Sequence, residues 1–390
     1  MVGGPEVGRP QPPSVPAAGG ELSLTALDDY PFHQALAPFP VPASADPRFN
    51  DGYYFGFFTK GQFAYFGIRL HPNNNVMDGF AGAIAGGEQR MVRASRALRP
   101  ATDTLAVGPL RLTVVEPMRK QRLQLDENPT GVTFDVTIEA SSPAFFESPD
   151  IHYRRGRLLN HVLRYTQLGR AHGTMTVDGE EIAVDDWYSD RDHSWGLRAS
   201  MGPKIPIKGV EPSRGDPRAI RIWMPFDLGD RFGMFSTHED ADGNRVDFDG
   251  HLHGPGDRHV ELVDVRHSLR YLEGTRRLLG GEFVLTDEEG ERYTYEVEVV
   301  ADPACAQGFG YVRGWQDGDQ PGTWRGAEYI ESDRFRVDDP DEIAGPPHVP
   351  VERRLGVCEY PTIVRGPDGR TGMAQIEHMV YRPYHPYGLK

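Results

Sequence analysis

The stretch Tyr53-Tyr54-Phe55-Gly56-Phe57-Phe58, followed by Thr59-Lys60-Gly61 and then Gln62-Phe63-Ala64-Tyr65-Phe66-Gly67-Ile68-Arg69-Leu70, reads as a β-hairpin. Aromatic and β-branched side chains suit a pleated, half-buried surface, and a short Gly-containing link between two such runs is a hairpin turn. The aromatic stripe of Tyr53, Phe55 and Phe57, with its partners Phe63 and Tyr65, packs a core or lines a cavity.

The same pattern extends in both directions. Leu110–Val115, Leu123–Leu125 and Gly131–Ile138 alternate with a period of two, as do Ile220–Met224, Phe232–Thr237 and Arg292–Val299. This is the spacing of strands with one face in a core. Asp178-Gly179, Asp242-Gly243-Asn244, Glu289-Gly290 and Asp368-Gly369 are turn signals between strands. Ile151–Leu168 fits either a helical or a strand period. The expected fold class is all-β, with antiparallel sandwiches or barrels.

A chain of 390 residues is long for a single core, so two domains are expected. Residues 1–28, rich in Gly and Pro, read as a disordered leader. A Pro- and Gly-rich connection at Gly202–Asp216 divides the rest into 29–199 and 200–390. The formal charge of −15 repels phosphate backbones, which argues against nucleic acid as a partner. No apolar run approaches the ~18 residues of a spanning helix, so no stable membrane insertion is expected. Met1–Gly20 lacks a basic segment followed by an apolar run, and a cytoplasmic setting is expected. Cys305 and Cys358 sit in no CxxC pair and read as free thiols.

The densest chemistry lies at Tyr188-Ser189-Asp190-Arg191-Asp192-His193-Ser194-Trp195-Gly196-Leu197-Arg198. Such groups are costly to bury unless they satisfy one another. On a strand, Trp187, Ser189, Arg191, His193 and Trp195 share one face, and Tyr188, Asp190, Asp192 and Ser194 share the other. An imidazole beside a carboxyl can donate a proton, and indole faces stabilise a cation. The bland alternative is a structural latch in which Asp192 accepts from Arg191 and His193 while Trp195 plugs the core.

Two other clusters carry weaker signals. His251 and His253 share a strand face, with His259 nearby, which is either a metal grip or a solvated β-edge. The Gly-rich run Gly308–Gly318, with Trp315, and the following Pro321–Gly326, with Trp324, lack the strand-to-helix context of a phosphate loop. Trp315 packs a barrel mouth or lines a pocket. No Gly-x-Ser-x-Gly, Walker, HExxH or Rossmann pattern occurs.

The run Arg191-Asp192-His193-Ser194-Trp195-Gly196-x-Arg198 resembles the Asp-His-Ser-Trp-Gly signature of the carotenoid 1,2-hydratase and AttH-like superfamily. Gly173–Gly179 before it and Gly314–Gly318 after it resemble members of the same group, and the likeness spans about residues 30–390. The resemblance implies two packed lipocalin-like β-domains with an apolar cavity and terpenoid, carotenoid or polyketide-like substrates. It implies proton transfer and cation stabilisation by His193 and Trp195, with Asp192 as the orienting carboxylate. The Tyr-x-Asp of the carotenoid hydratases is missing: the strand that follows reads Ile220-Arg221-Ile222-Trp223-Met224-Pro225-Phe226-Asp227. Asp190 or Asp227 are the carboxyls available in its place.

The expected function is therefore a cofactor-independent lyase or isomerase, hydratase-like, acting on a hydrophobic and isoprenoid-type molecule. Its catalytic residues are His193, Asp192 and Trp195. Trp187, Tyr188, Arg191, Trp223 and Trp315 bind substrate, no metal takes part, and a homodimer is allowed. The rival is a non-catalytic carrier of hydrophobic ligands, since lipocalin-type barrels commonly only bind.

Overall fold

The computed structural model describes residues 42, 44–102, 104–154, 156–203, 217–254, 258–339 and 343–390. The expected leader at 1–28 and most of the connection at 202–216 lie outside them. The described residues contain 22 strands, short 3₁₀ turns and no α-helix.

The first twelve strands are β1 (Phe49–Thr59), β2 (Gln62–His71), β3 (Val76–Ala85), β4 (Glu88–Ala97), β5 (Ala106–Val107), β6 (Leu110–Glu116), β7 (Lys120–Leu125), β8 (Val132–Ala140), β9 (Phe145–Phe146), β10 (Asp150–Arg154), β11 (Arg157–Val177) and β12 (Glu180–Leu197). The rest are β13 (Arg218–Asp227), β14 (Phe232–Asp240), β15 (Arg245–Gly254), β16 (Arg258–Tyr271), β17 (Leu278–Asp287), β18 (Arg292–Val299), β19 (Ala304–Cys305), β20 (Glu328–Arg336), β21 (Gly356–Arg365) and β22 (Thr371–Val380).

They form two antiparallel sheets. The first runs β20-β4-β3-β2-β1-β12-β11-β8-β7-β6-β5 and curls as a half-barrel. The second closes on itself, because β13 pairs with both β14 and β22, and β18 pairs with β21. Eight strands thus make a barrel without free edges, the geometry that removes the edge-strand hazard.

The expected hairpin forms between β1 and β2, with Thr59 opposite Gln62 and Gly61 at φ +80° in the turn. The ambiguous Ile151–Leu168 is extended, divided between β10 and β11. Here sheet pairing decided what local spacing left open.

Three apolar layers result. Tyr53, Phe55, Phe57, Phe66, Phe134 and Trp187 belong to the concave core of the first sheet. Ile222, Phe226, Phe235, Phe283 and Tyr295 fill the closed barrel. Tyr54, Phe58, Tyr65, Phe80, Trp223 and Phe309 belong to a third cluster between the sheets. The β1 hairpin is thus buried on both faces: its odd residues serve the first layer and its even ones the third.

One strand departs from chain order. β20 leaves the second half of the chain and pairs with β4, Ile330 opposite Ala94 and Ser332 opposite Val92. The fully buried Arg93 secures it. Its guanidinium donates to Glu331 at 2.6 Å, to Asp333, and to the Gly308 carbonyl at 2.6 Å. Removing one member of a buried ion cluster leaves charge uncompensated, at a cost of about 3–5 kcal/mol. Arg93→Ala is therefore expected to shift the urea midpoint down sharply. Arg334→Ala, which removes an exposed guanidinium from the half-buried Glu88, should lower stability by less than about 1 kcal/mol.

Candidate active site

β12 sits between β1 and β11, and its alternation has chemical consequences. Cross-strand register forms rows on the face turned to the barrel. Arg164, Ser194, Gly52 and Arg69 make one row across β11, β12, β1 and β2. Thr166, Asp192, Tyr54 and Gly67 make the next, and Leu168, Asp190, Gly56 and Tyr65 the third. Opposite this face, across the gap, stand β13, β21 and β22 of the barrel. Between them lies a cavity of about 430 Å³ lined from both sheets, including Tyr54, Arg164 and Asp192 on one side and Arg221, Trp223 and Glu359 on the other. Phe309, stacked on Phe80 at 4.9 Å between ring centres, and Tyr311 close another wall.

The acid end of the cavity is built around Glu359. This carboxyl is only 4% exposed, and burial pushes its pKa up to about 8; the nearby Asp192 pushes the same way, while Arg221 and a hydrogen bond from Gln375 oppose it. Taking a carboxylate out of water favours its neutral form. Gln375 Nε2 donates to Glu359 Oε2 at 3.0 Å and to the Tyr54 hydroxyl at 3.1 Å, so one amide of the barrel spans the seam. Gly56 makes this approach feasible: a Cβ there would stand 2.3 Å from Gln375 Oε1. Behind this bridge, Asp190 is fully buried and its pKa is raised well above the ordinary range, chiefly by burial and also by Glu359. The Tyr188 hydroxyl lies 3.3 Å from its Oδ2. Asp192 Oδ1 is buried, with no hydrogen-bond partner among the described residues.

Cations stand along the rest of the wall. Glu147 accepts from Arg164 at 3.1 Å, from Thr166 at 2.5 Å and from the Trp223 indole at 3.4 Å. Arg221 pairs with Glu377. Arg69 and Arg198 both donate to the Ser194 hydroxyl, each at 3.2 Å. The wall is thus apolar in part and strongly charged in part, whereas the resemblance implied an apolar chamber.

Of the expected site residues, Asp192 and Trp223 line this cavity. His193, Trp195, Arg191 and Trp187 do not, because they project from the other face of β12. The His193 ring is fully buried there, with Nε2 2.7 Å from Asp51 Oδ1 and Nδ1 3.3 Å from the Tyr165 hydroxyl. It stacks on Tyr53 at 4.2 Å and meets Trp195 edge-on at 5.5 Å. Its carboxyl partner is Asp51, not Asp192, since neighbours along a strand point to opposite sides. Arg191 donates twice to Gln167 Oε1, at 2.6 and 3.0 Å, and Trp187 packs in the first-sheet core. Tyr188 faces the seam but donates to the Pro225 carbonyl at 3.0 Å, off the cavity. Trp315 lies beside a separate small hollow, under the Arg325 guanidinium at 4.0 Å.

The histidine cluster is no solvated edge either. His251 and His253 are buried, and His253 stacks on Phe232 at 5.1 Å and bonds His259 at 3.1 Å. Among the described residues no three His, Cys, Asp or Glu side chains are grouped to hold a metal ion. No helix of the described residues is long and apolar enough to cross a membrane.

Glu359, Tyr54, Gln375, Arg69, Arg164 and Arg198 were not anticipated. Two had a readable sign: Glu359 is a lone carboxyl in the run Val357–Val364, and Arg69 a lone cation between Ile68 and Leu70. A charge inside an otherwise buried strand needs a reason.

Comparison with solved structures gives likeness of fold. An AttH-like protein of Nitrosomonas europaea matches at a TM-score of 0.52 and 11% identity, over 91% of this chain and 99% of that one. Kievitone hydratase of Nectria haematococca matches at 0.42 and 11%, over 90% and 96% of the two chains. CghA matches at 0.44 and 10%, over 89% and 96%. No curated protein sequence matches. The sequence pattern of a family described as being of unknown function, DUF8625, matches residues 24–390, and the chain belongs to that family.

Proposed function

We propose that the chain is a lyase or isomerase of hydratase type that works by proton transfer on a largely apolar molecule held between its two sheets. One observation carries this reading: on the wall of a cavity of about 430 Å³, burial raises the Glu359 carboxyl to about 8, and across from it stands Asp192, whose Oδ1 has no hydrogen-bond partner among the described residues. Two carboxyls whose environments differ are the equipment for an acid and a base at neutral pH.

Glu359 gives its proton to an electron-rich double bond or carbonyl. The indole of Trp223, on the same wall, faces the cation that forms. Water captures the cation, Asp192 takes the proton that water releases, and exchange with solvent then removes that proton and reprotonates Glu359 for the next turnover. For an elimination the same steps run backwards. No step calls for a cofactor. A terpenoid-like skeleton suits the aromatic side of the wall, formed by Phe309, Tyr311 and Trp223. A cytoplasmic setting agrees with the free thiols of Cys305 and Cys358.

His193 then has a different task from the one its motif implied. Joined to Asp51 on β1 and Tyr165 on β11, it fixes β12 between its neighbours and holds Asp192 at the cavity from behind. It is a positioning residue.

Incubation with isoprenoid alcohols and unsaturated acids, followed by chromatographic separation and mass analysis, should reveal addition or loss of water or a rearranged product of equal mass; binding with every compound of such a panel recovered unchanged sinks the enzymatic reading and leaves a carrier. With a substrate in hand, Glu359→Gln should lower turnover at pH 7 by about 10²–10⁴-fold. Wild-type rate should decline above about pH 8, as the acid form is lost. Stability supplies an independent check. The pKa of Glu359 is raised on folding from 4.5 to about 8, so its contribution is complete at low pH and fades as pH rises through that window. Melting of the Gln variant, compared with wild type, should therefore improve steadily from acid to alkaline buffer.

His193→Ala should primarily destabilise, because it removes a 2.7 Å partner of the buried Asp51 carboxyl and empties a packed ring site, at a cost of about 2–4 kcal/mol. In variant protein that remains folded at low temperature, ligand affinity should persist. Full stability with abolished turnover would return His193 to the chemistry.

A further inference from the structure

At the Ser194 row the cavity wall carries two guanidiniums, Arg69 and Arg198, with no carboxylate bonded to either among the described residues. Arg69 is 6% exposed. All its partners are neutral: Asn50 Oδ1 at 2.6 Å, the Ser194 carbonyl at 3.3 Å and the Ser194 hydroxyl at 3.2 Å. Arg198 reaches that same hydroxyl at 3.2 Å and makes no other side-chain hydrogen bond among the described residues. Neither guanidinium has a carboxylate within salt-bridge distance among the described residues, and both stand on the cavity wall.

Two guanidiniums converging on one hydroxyl oxygen leave most of their ten N–H groups without an acceptor. Like charges held this close, one buried and the other half-buried, repel, and an arriving anion relieves that repulsion. The surrounding geometry is prepared for such a guest. Gly52, between Ser194 and Arg69 in the cross-strand row, has no side chain to block Arg69, whose Cα would lie 2.7 Å from a Cβ placed there. The protein as a whole carries −15, so a cationic corner of this kind is not a by-product of a basic surface. The arginine fork matches a two-oxygen anion in plane.

We propose that this corner seats a carboxylate of the substrate, bridging Arg69 and Arg198. The proposal rests on the acid–base reading of the same cavity and narrows its substrate class to amphipathic organic acids. Ser194 and Asp192 are two residues apart on one strand face, which is about 7 Å. The bond that reacts is then several bonds from the acid group, with the apolar skeleton laid along Trp223 and Phe309. Arg164, the other cation of the row, is already held by Glu147 and contributes field rather than a fork.

Calorimetric titration with decanoate, decanol and decyl phosphate tests the seat. These probes have no reacting double bond, so the readout is affinity alone. Wild type is expected to prefer decanoate over decanol by about tenfold or more, with decyl phosphate no tighter than decanoate. Arg198→Met should reduce that preference to near parity, and Arg198→Lys should retain part of it. Arg69→Met should act likewise; if it fails to fold, the Arg198 pair decides. Equal affinity for acid and alcohol, no binding of decanoate, or an undiminished preference in Arg198→Met overturns the proposal. Tighter binding of decyl phosphate overturns the carboxylate in favour of a phosphate. None of these results touches the turnover test of Glu359, so the two readings fail separately.

Discussion

A strand buried on both sides must satisfy two different interiors with one alternating sequence. β12 does so, and the rest of the site depends on it. Its odd positions give the half-barrel a polar knot of Arg191 and His193, closed by Gln167, Asp51 and Tyr165. Its even positions give the seam between the sheets Asp190, Asp192 and Ser194. A one-residue slip of register would exchange the two sets and leave every one of these groups without its partner. The knot is costly to bury and exacting in geometry, which suits it to pin the register on which the cavity face relies.

The seam is where the two sheets trade charge for protonation. Burying carboxyls at Asp190 and Glu359 raises both, so protons neutralise part of what would otherwise be repelling negative charge. Arginines balance the remainder at Glu147 and Glu377. At Arg69 and Arg198 no carboxylate lies within salt-bridge distance among the described residues. The cavity therefore has a protonated carboxyl on its barrel side and a pair of guanidiniums on its half-barrel side. Such polarity orients a guest before any chemistry occurs.

Much of this architecture was legible in the chain. Period-two runs from Tyr53 onward give the strands, and alternation gives the correct partition of residues 187–195 between two faces. What alternation cannot give is the layer each face meets. An imidazole flanked by indoles looks like a reaction centre, yet here the Tyr53 ring and the Asp51 carboxyl cover it, and the plainer Asp-x-Asp-x-Ser face meets the cavity. Trp223, expected to bind substrate, lines the cavity. The partners across the seam were harder to find. Glu359 and Gln375 lie more than 160 residues from Asp192, and no local pattern joins them. Ile151–Leu168 shows the same limit on a smaller scale, since pairing with distant strands made it extended.

The return of β20 to β4 has a bearing on biogenesis. During synthesis, the half-barrel emerges well before residues 328–336, so β4 leaves the ribosome as a naked ladder of amide and carbonyl groups. The closed barrel has by then received most of its staves, yet it cannot release its neighbour from this exposure. Only when Glu331 and Asp333 reach Arg93 is the seam stitched from both ends of the polypeptide. Nascent chains that stall in between present a sticky margin that invites chaperones or strand exchange with another copy.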